Sequence, residues 1–257
     1  MTSESSKNKR GATRIHSTAR RIFILCLIFI LSIAASGCME NSERLMREYL
    51  NEKYPDQEFI TISINGGGYF GQGPKYMTCY PKGGDPEVDK VIVYTGIPVD
   101  EEGNKGEREF RDNYFAILIR EDVEADVLNI LLDMNLSMKV YYQESAYYGL
   151  DYDSTNTYED LKKDILEGKS HKRFDVGIYL YCKDVENRKQ YAKQIFDTLL
   201  SENGIAESVD LFMIADETIY SKITRKNHYD LINANGETIF NFYESTATYK
   251  GPYSEFE

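Results

Sequence analysis

The chain has 257 residues, of which 42 % are hydrophobic and 28 % charged, a composition typical of globular proteins and unlike that of disordered chains. Its 42 acidic and 30 basic residues give a formal net charge of −12, which argues against a nucleic-acid partner. Residues 1–37 contain six basic residues and one acidic residue, so the other 220 residues carry a net charge of −17.

The first feature along the chain is an export segment. Residues 1–21 are polar and basic, and Ile22–Ala35 follows as 14 residues without a charge. A helix needs about 20 apolar residues to span the hydrocarbon core of a bilayer, so this stretch is short for a transmembrane anchor. A basic region, a short apolar region and small residues predict a secretory signal peptide over residues 1–37.

The end of this segment carries a lipidation motif. Ala35-Ser36-Gly37-Cys38 resembles the lipobox of bacterial lipoproteins. The resemblance implies that the Cys38 thiol receives a lipid anchor of the palmitate class and that Cys38 becomes the new N-terminus. It also implies a location on the extracellular side of the cell membrane. The alternative is an ordinary signal peptide that is cut nearby, with Cys38 incidental.

The first half of the remaining chain, residues 38–145, alternates helical and strand patterns. Helical spacing of apolar residues predicts a helix over residues 42–54. Ile60, Ile62 and Ile64 alternate with polar residues and predict a strand whose buried face they form. Further strands are expected at 75–80, 90–94, 114–119 and 138–142, with loops at 66–74 and 100–107 and a helix after residue 119.

The second half, residues 146–257, continues the same alternation. Thr157 followed by Asp160 predicts the start of a short helix through a capping box. Strands are expected at 176–181 and 209–214, with a helix over 185–202 between them. Asn235-Gly236 is a strong hairpin turn signal and predicts a C-terminal hairpin of residues 229–232 and 238–242.

These elements predict an α+β fold with a mixed or antiparallel sheet and helices on one face. At an offset of 62 residues, Asp122-Val123-Glu124 matches Asp184-Val185-Glu186 after an apolar run in both cases. One explanation is a doubled βαβ unit, as in ferredoxin-like sheets. The other is convergence on the chemistry that favours acidic residues at helix starts. The two halves are either two regions or one domain.

No motif along the chain identifies a catalytic, metal or cofactor site. Gly66–Gly71 satisfies G-x-G-x-x-G, but a strand follows it where a dinucleotide site needs a helix N-terminus. Asp151, Asp153 and Thr155 occupy the first positions of an EF-hand-like loop that lacks its glycine and its final glutamate. His171 and His228 are isolated and are expected at the surface. We expect no metal and no cofactor.

Two cysteines and a group of tyrosines remain as candidate site residues. Cys79 and Cys182 each end a predicted strand on its apolar face, so they are either two buried free thiols or a disulfide. Six tyrosines fall within residues 141–158, mostly in a predicted loop. Tyr147, Tyr148 and Tyr152 are therefore a candidate binding patch, since tyrosine offers a large apolar face and a hydroxyl at low entropic cost. The alternative is that these rings anchor the loop.

Three segments extend the family resemblance beyond the lipobox. REYLNEKYP at 47–55, YPKGGDPEVD at 80–89 and RDNYFAILIRED at 111–122 resemble small uncharacterised lipoproteins of Gram-positive bacteria. The resemblance implies a location and no mechanism.

We therefore expect a non-enzymatic, lipid-anchored module that binds a cell-surface protein or glycan. A cell-envelope hydrolase and a transport-associated solute-binding lipoprotein are the alternatives, the latter opposed by a mature length that is short for two hinged domains.

Overall fold

The computed structural model describes residues 41–66, 74–97, 102, 104–143, 152–170, 173–184, 186–201, 204–236 and 239–245. The signal segment, Cys38, the glycine-rich loop after Gly66 and two of the candidate tyrosines, Tyr147 and Tyr148, lie outside these residues. Within them, no helix combines the length and the apolar character that a membrane crossing requires.

The first half of the chain forms an antiparallel sheet with one helix on its inner face. Helix α1 is described over residues 41–53. The strands follow in the spatial order β1-β2-β3-β4, all antiparallel. They are β1 (Phe59–Gly66), β2 (Lys75–Pro81), β3 (Val91–Gly96) and β4 (Glu109–Asp112). Helix α1 and strands β1 to β3 confirm the elements predicted in this stretch, whereas β4 was not predicted.

The second half forms a mixed sheet in the order β5-β6-β7-β8. Strands β6 and β7 are parallel and are joined through α4, and the other pairs are antiparallel. The strands are β5 (Met138–Tyr142), β6 (Phe174–Tyr181), β7 (Ala206–Ile214) and β8 (Ile239–Ser245). The helices are α2 (Tyr114–Ile130), α3 (Tyr158–Leu166), α4 (Arg188–Leu199), α5 (Glu217–Lys222) and α6 (His228–Ala234), with a short 3₁₀ helix at Leu132–Met134.

This architecture confirms the α+β class with an antiparallel and a mixed sheet. Among the described elements one βαβ unit is present, β6–α4–β7, so the halves are not two copies of such a unit. In the second sheet, α2, α3 and α4 cover one face and the short helices α5 and α6 contribute to the other. The predicted regions 38–145 and 146–257 meet just past β5, which pairs with the second sheet.

Helix α2 is shared by the two hydrophobic cores. Tyr114 and Ile117 pack with α1 and the first sheet, whereas Phe115, Val123 and Val127 pack with the second sheet. The prediction of a strand at 114–119 is therefore wrong, because this apolar run is the first part of a helix buried on several sides. A short apolar run has the same composition in a buried strand and in a buried helix, and periodicity alone does not separate them.

The predicted C-terminal hairpin is also wrong in its first strand. His228–Ala234 is helix α6, and Asn235 is the residue that ends it. Its second strand exists as β8, but this strand pairs with β7 over its whole length. Asparagine and glycine are common at helix ends as well as in hairpin turns, so the Asn-Gly pair marks the end of α6 here.

Acidic residues at helix starts behave as predicted in two of three places. Thr157 and Asp160 form the predicted capping box at the start of α3. Asp184 accepts hydrogen bonds from the backbone N–H groups of Glu186 and Asn187, just before α4. Asp122 lies in the middle of α2, so the expectation that it opens a helix is wrong.

Candidate functional site

The outer face of the first sheet carries large apolar side chains. The strand prediction placed Ile60, Ile62 and Ile64 together on the buried face, and this is wrong. Phe59 faces the core, and Ile60 and Ile62 are 38 % and 49 % exposed. A bulge between Thr61 and Ser63 then shifts the register, and after it Ile64 packs against the core. A bulge places one extra residue in a strand and moves the following residues to opposite faces.

Strands β2 and β3 continue this apolar surface. Tyr76, which is 39 % exposed, pairs with Tyr94, and their ring centroids are 5.6 Å apart. We call the following set the outer sheet face: Ile60, Ile62, Tyr76, Tyr80, Ile92 and Tyr94. Thr78 on β2 and Ser63 on β1 lie on the same face, among these side chains. Antiparallel sheets with one free face normally carry mainly polar residues there, so the isoleucine and tyrosine side chains on this face are a sign of a binding surface.

Charges lie at the border of the outer sheet face. Arg111 and Glu109 are on the edge strand β4 and form an ion pair with each other at 3.1 Å. Among the described residues, the helices that contribute to the core of the first sheet pack on its inner side. The sequence held a signal for the outer face, because in KYMTCY and VIVY the apolar and aromatic residues occupy both alternating sets of positions.

The inner side of the same sheet is fixed by a buried carboxylate. Asp112 at the end of β4 is fully buried and accepts hydrogen bonds from the Tyr49 hydroxyl at 2.6 Å and the Tyr54 hydroxyl at 3.0 Å. The Lys53 ammonium lies 2.8 Å from the same carboxylate, and the Tyr114 backbone N–H donates to it at 2.8 Å. Four donors, from α1, from Tyr54 just after it and from the start of α2, therefore converge on one side chain of the sheet.

This carboxylate cluster is a structural element. Burial, followed by the nearby charge of Asp112, raises the pKa values of Tyr49 and Tyr54 far above the ordinary value, so both hydroxyls stay protonated and donate. A buried carboxylate with this many hydrogen-bond donors is already satisfied. The cluster holds α1 against the inner side of the sheet.

His228 was expected at the surface, but the structure places it against the second sheet. Its Nδ1 lies 3.0 Å from the Tyr179 hydroxyl, and its ring contacts the rings of Tyr141, Tyr179 and Tyr229. Burial, followed by the positive charge of Arg225, lowers the pKa of His228 to about 4. The imidazole is neutral at physiological pH and accepts or donates one hydrogen bond within an aromatic cage.

The described members of the tyrosine group serve as anchors. Tyr142 and Tyr158 are buried in the core of the second sheet, and the Tyr158 hydroxyl donates to Asp126 at 2.5 Å. Tyr152 stacks on Phe115 with ring centroids 5.1 Å apart and donates to Asp164 at 2.9 Å. Tyr152 therefore anchors its loop to the core, as the alternative to a binding patch predicts. Tyr147 and Tyr148 lie outside the described residues.

Replacing Tyr152 by alanine is expected to lower the melting temperature by several degrees. The substitution removes the stacking on Phe115 and exposes the edge of the core cluster to solvent. Burial of such a ring contributes about 1.5–3 kcal/mol to the free energy of unfolding. Thermal denaturation of the variant measures the loss. Tyr152→Phe, which keeps the ring, should retain most of the stability; a melting temperature unchanged in the alanine variant contradicts the anchor role.

The two cysteines lie in different cores. Cys79 packs in the core of the first sheet and Cys182 in that of the second, and both thiols are free. This is the buried-thiol alternative and not the disulfide. Burial raises the pKa of Cys79 to about 12, which makes this thiol a poor nucleophile at neutral pH.

The acidic loop before α3 uses its carboxylate for hydrogen bonds within the loop. The Asp153 carboxylate accepts hydrogen bonds from the backbone and the hydroxyl of Thr155, at 2.7 and 2.6 Å. Across the ranges that the structure describes, no group of three or more histidine, cysteine, aspartate or glutamate residues is arranged to hold a metal ion.

Comparison with known proteins gives one structural likeness and no family. No family model matches the chain, and no curated protein matches it significantly. A crystal structure of a DUF5037 family protein from Ruminococcus gnavus is similar at 16 % sequence identity and a TM-score of 0.40. The match covers 79 % of this chain and 91 % of that one. At this TM-score the likeness carries no argument about function.

Proposed function

We propose that the protein is a non-enzymatic, lipid-anchored binding module on the extracellular side of the cell membrane, and that the outer sheet face docks a partner protein there. The observation that carries the proposal is the set of isoleucine and tyrosine side chains on a sheet face that the described helices leave open. Tyrosine and large apolar residues are enriched at the cores of protein interfaces, where charged residues are depleted.

The chemistry of the outer sheet face favours a protein over a glycan or a bilayer. Its three isoleucines offer no hydrogen-bonding groups to sugar hydroxyls, whereas they match apolar side chains of a protein surface. The net charge of −17 outside residues 1–37 opposes adsorption to anionic lipids. The partner surface is accordingly apolar at its centre.

The anchor determines where this partner is found. Residue 41 of α1 is three positions after Cys38, and a chain of three residues spans about 10 Å at most. The Lys75 ammonium, at the start of β2, donates to the Ser42 hydroxyl at 2.7 Å, which ties the first sheet to α1. Lipidation of Cys38 would hold the outer sheet face close to the membrane, within reach of other membrane-bound proteins.

Site-specific photocrosslinking in the native host tests the docking surface. The photoreactive residue p-benzoylphenylalanine, in place of Tyr76 in the full chain, is expected to give a discrete protein adduct on irradiation. The matched control places it at Tyr243, which is 60 % exposed on the second sheet and should give none. Ile62→Asp should reduce the yield at Tyr76 several-fold, since it puts a charge in the apolar face.

Mass spectrometry of the adduct decides between occupants. A lipid adduct, an adduct to a second copy of this chain, no adduct, or equal adducts at Tyr76 and Tyr243 each contradict the proposal. The anchor is tested separately with Cys38→Ala, which is expected to move the protein from the membrane fraction to the medium or to stall the precursor. Normal cleavage with unchanged membrane retention would show that Cys38 is not the anchor.

A further inference from the structure

Arg188, the first residue of α4, has a buried and incompletely paired guanidinium group. The residue is 3 % exposed, its Nη2 donates to the Cys182 carbonyl at 3.4 Å, and its guanidinium carbon lies 3.8 Å from the centroid of the Phe240 ring. Within the described part of the chain, Nε and Nη1 have no hydrogen-bond partner. An arginine cannot neutralise itself by losing a proton, so this site holds a permanent positive charge.

A charge in this position requires a counterpart. Burying an ionised group without hydrogen bonds is costly, and proteins pair such groups or place them where a ligand completes them. The Asp184 carboxylate, four positions earlier, interacts with Arg188 through its charge but makes its hydrogen bonds within the loop: it accepts from the backbone N–H groups of Glu186 and Asn187 and from the Asn187 side chain at 2.6 Å. The missing partner of Arg188 is therefore an acceptor that carries negative charge.

The surroundings of Arg188 add further donors. The first helical hydrogen bond of α4 joins the Tyr191 N–H to the Asn187 carbonyl, so the N–H groups of Arg188, Lys189 and Gln190 have no acceptor within the helix. The Asn187 side chain makes no capping hydrogen bond to them. Backbone N–H groups and the helix dipole at such an end attract anions.

The position in the βαβ unit is also one where ligands bind. Cys182 directly follows β6, and α4 begins on the way to the parallel strand β7. In sheets with parallel strands and crossover helices, ligands bind outside the carboxyl ends of the strands, next to helix N-termini. The buried guanidinium and the first N–H groups of α4 are at this same end of the unit.

We infer that Arg188 and the first turn of α4 bind a tetrahedral oxyanion, the phosphate or sulfate group of a small ligand. A guanidinium group and the N–H groups of a helix start together offer several donors, which suits three or four acceptor oxygens better than the two of a carboxylate. Phe240 covers the guanidinium and is itself partly exposed, so the ligand enters on the side of this ring. This site lies on the second sheet and is independent of the outer sheet face.

Thermal denaturation of the full chain in non-ionic detergent tests the site, with inorganic phosphate as the probe and chloride at matched ionic strength as the reference. Phosphate at ten times its dissociation constant is expected to raise the melting temperature by about 3–6 °C. Arg188→Met should abolish this shift and Arg188→Lys should reduce it. Arg173→Met, at a position where the arginine donates to the Ser201 carbonyl near the surface, should leave the shift unchanged.

A second measurement uses the wild-type protein and therefore tests the site even if the variants do not fold. In the wild-type protein, the NMR signal of the Arg188 Nε–H group should shift with phosphate along a saturable binding curve. Sulfate should reproduce the effects of phosphate and acetate should not, whereas equal effects of acetate would contradict the tetrahedral assignment. No response of the wild-type protein, or an undiminished response in Arg188→Met, overturns the inference.

Discussion

Replacing Asp112 by alanine is expected to lower the free energy of unfolding by about 3–5 kcal/mol. The substitution removes the Asp112 carboxylate from beside the buried Lys53 ammonium, and the hydroxyls of Tyr49 and Tyr54 lose this acceptor. Removing one member of a buried ion pair is far more costly than removing an exposed one, because the remaining charge stays desolvated. Chemical denaturation with a two-state fit measures the difference.

Two variants define the origin of this loss. Glu109→Ala, on the same strand, breaks an exposed ion pair with Arg111 and should cost less than about 1 kcal/mol. Asp112→Ala combined with Lys53→Met removes both charges and should recover part of the stability lost in the single variant. If the double variant is no more stable than Asp112→Ala, the buried charge of Lys53 is not the source of the lost stability.

Acidification from pH 7 to pH 4 is expected to remove about 1–3 kcal/mol of stability through His228 alone, after allowance for solvent screening. The folded protein holds the pKa of His228 at about 4, below the ordinary value of 6.5. Because the fold favours the neutral imidazole, this contribution is fully present above about pH 6.5 and is lost as the pH falls toward 4. Burial and the neighbouring Arg225 both oppose protonation.

Comparison with a variant that does not titrate isolates this contribution. His228→Gln keeps a polar side chain near the Tyr179 hydroxyl, and its stability should depend less steeply on pH between 4 and 6.5 than that of the wild-type protein. Unfolding curves at several pH values give both slopes, and the carboxylates titrate in both proteins. Equal slopes would mean that His228 is protonated as easily in the folded chain as in the unfolded one.

The sequence predicted correctly those helices and strands whose formation depends on neighbouring residues in the chain. The capping box at Thr157 fixed the start of α3, and the apolar runs of β5, β6 and β7 were found within two or three residues. The run at 114–119 was predicted as a strand because six apolar or aromatic residues in a row fit either a buried strand or a helix. This run is helical because it packs against two hydrophobic cores, and the residues that form those cores are far away in the sequence.

The site features depend on such distant contacts. Tyr49 and Asp112 are 63 positions apart, and Tyr179 and His228 are 49 positions apart, so neither cluster has a sequence motif. The bulge at Ile62 is similar, since it reverses the face of a strand without any glycine or proline to mark it. The alternation of Ile60, Ile62 and Ile64 predicted the strand correctly and its buried face incorrectly.

The sharing of α2 between the two cores has a consequence for how the chain can come apart. A cut before α2 would take Tyr114 and Ile117 away from the core of the first sheet. A cut after α2 would take Phe115, Val123 and Val127 away from the core of the second sheet. Arg120 of the same helix also binds Asp89 of the first half at 2.5 Å. Neither half is then a unit that could be exchanged, duplicated or expressed by itself. The two sheets should melt in a single cooperative transition and show amide exchange protection that is lost in both at the same denaturant concentration.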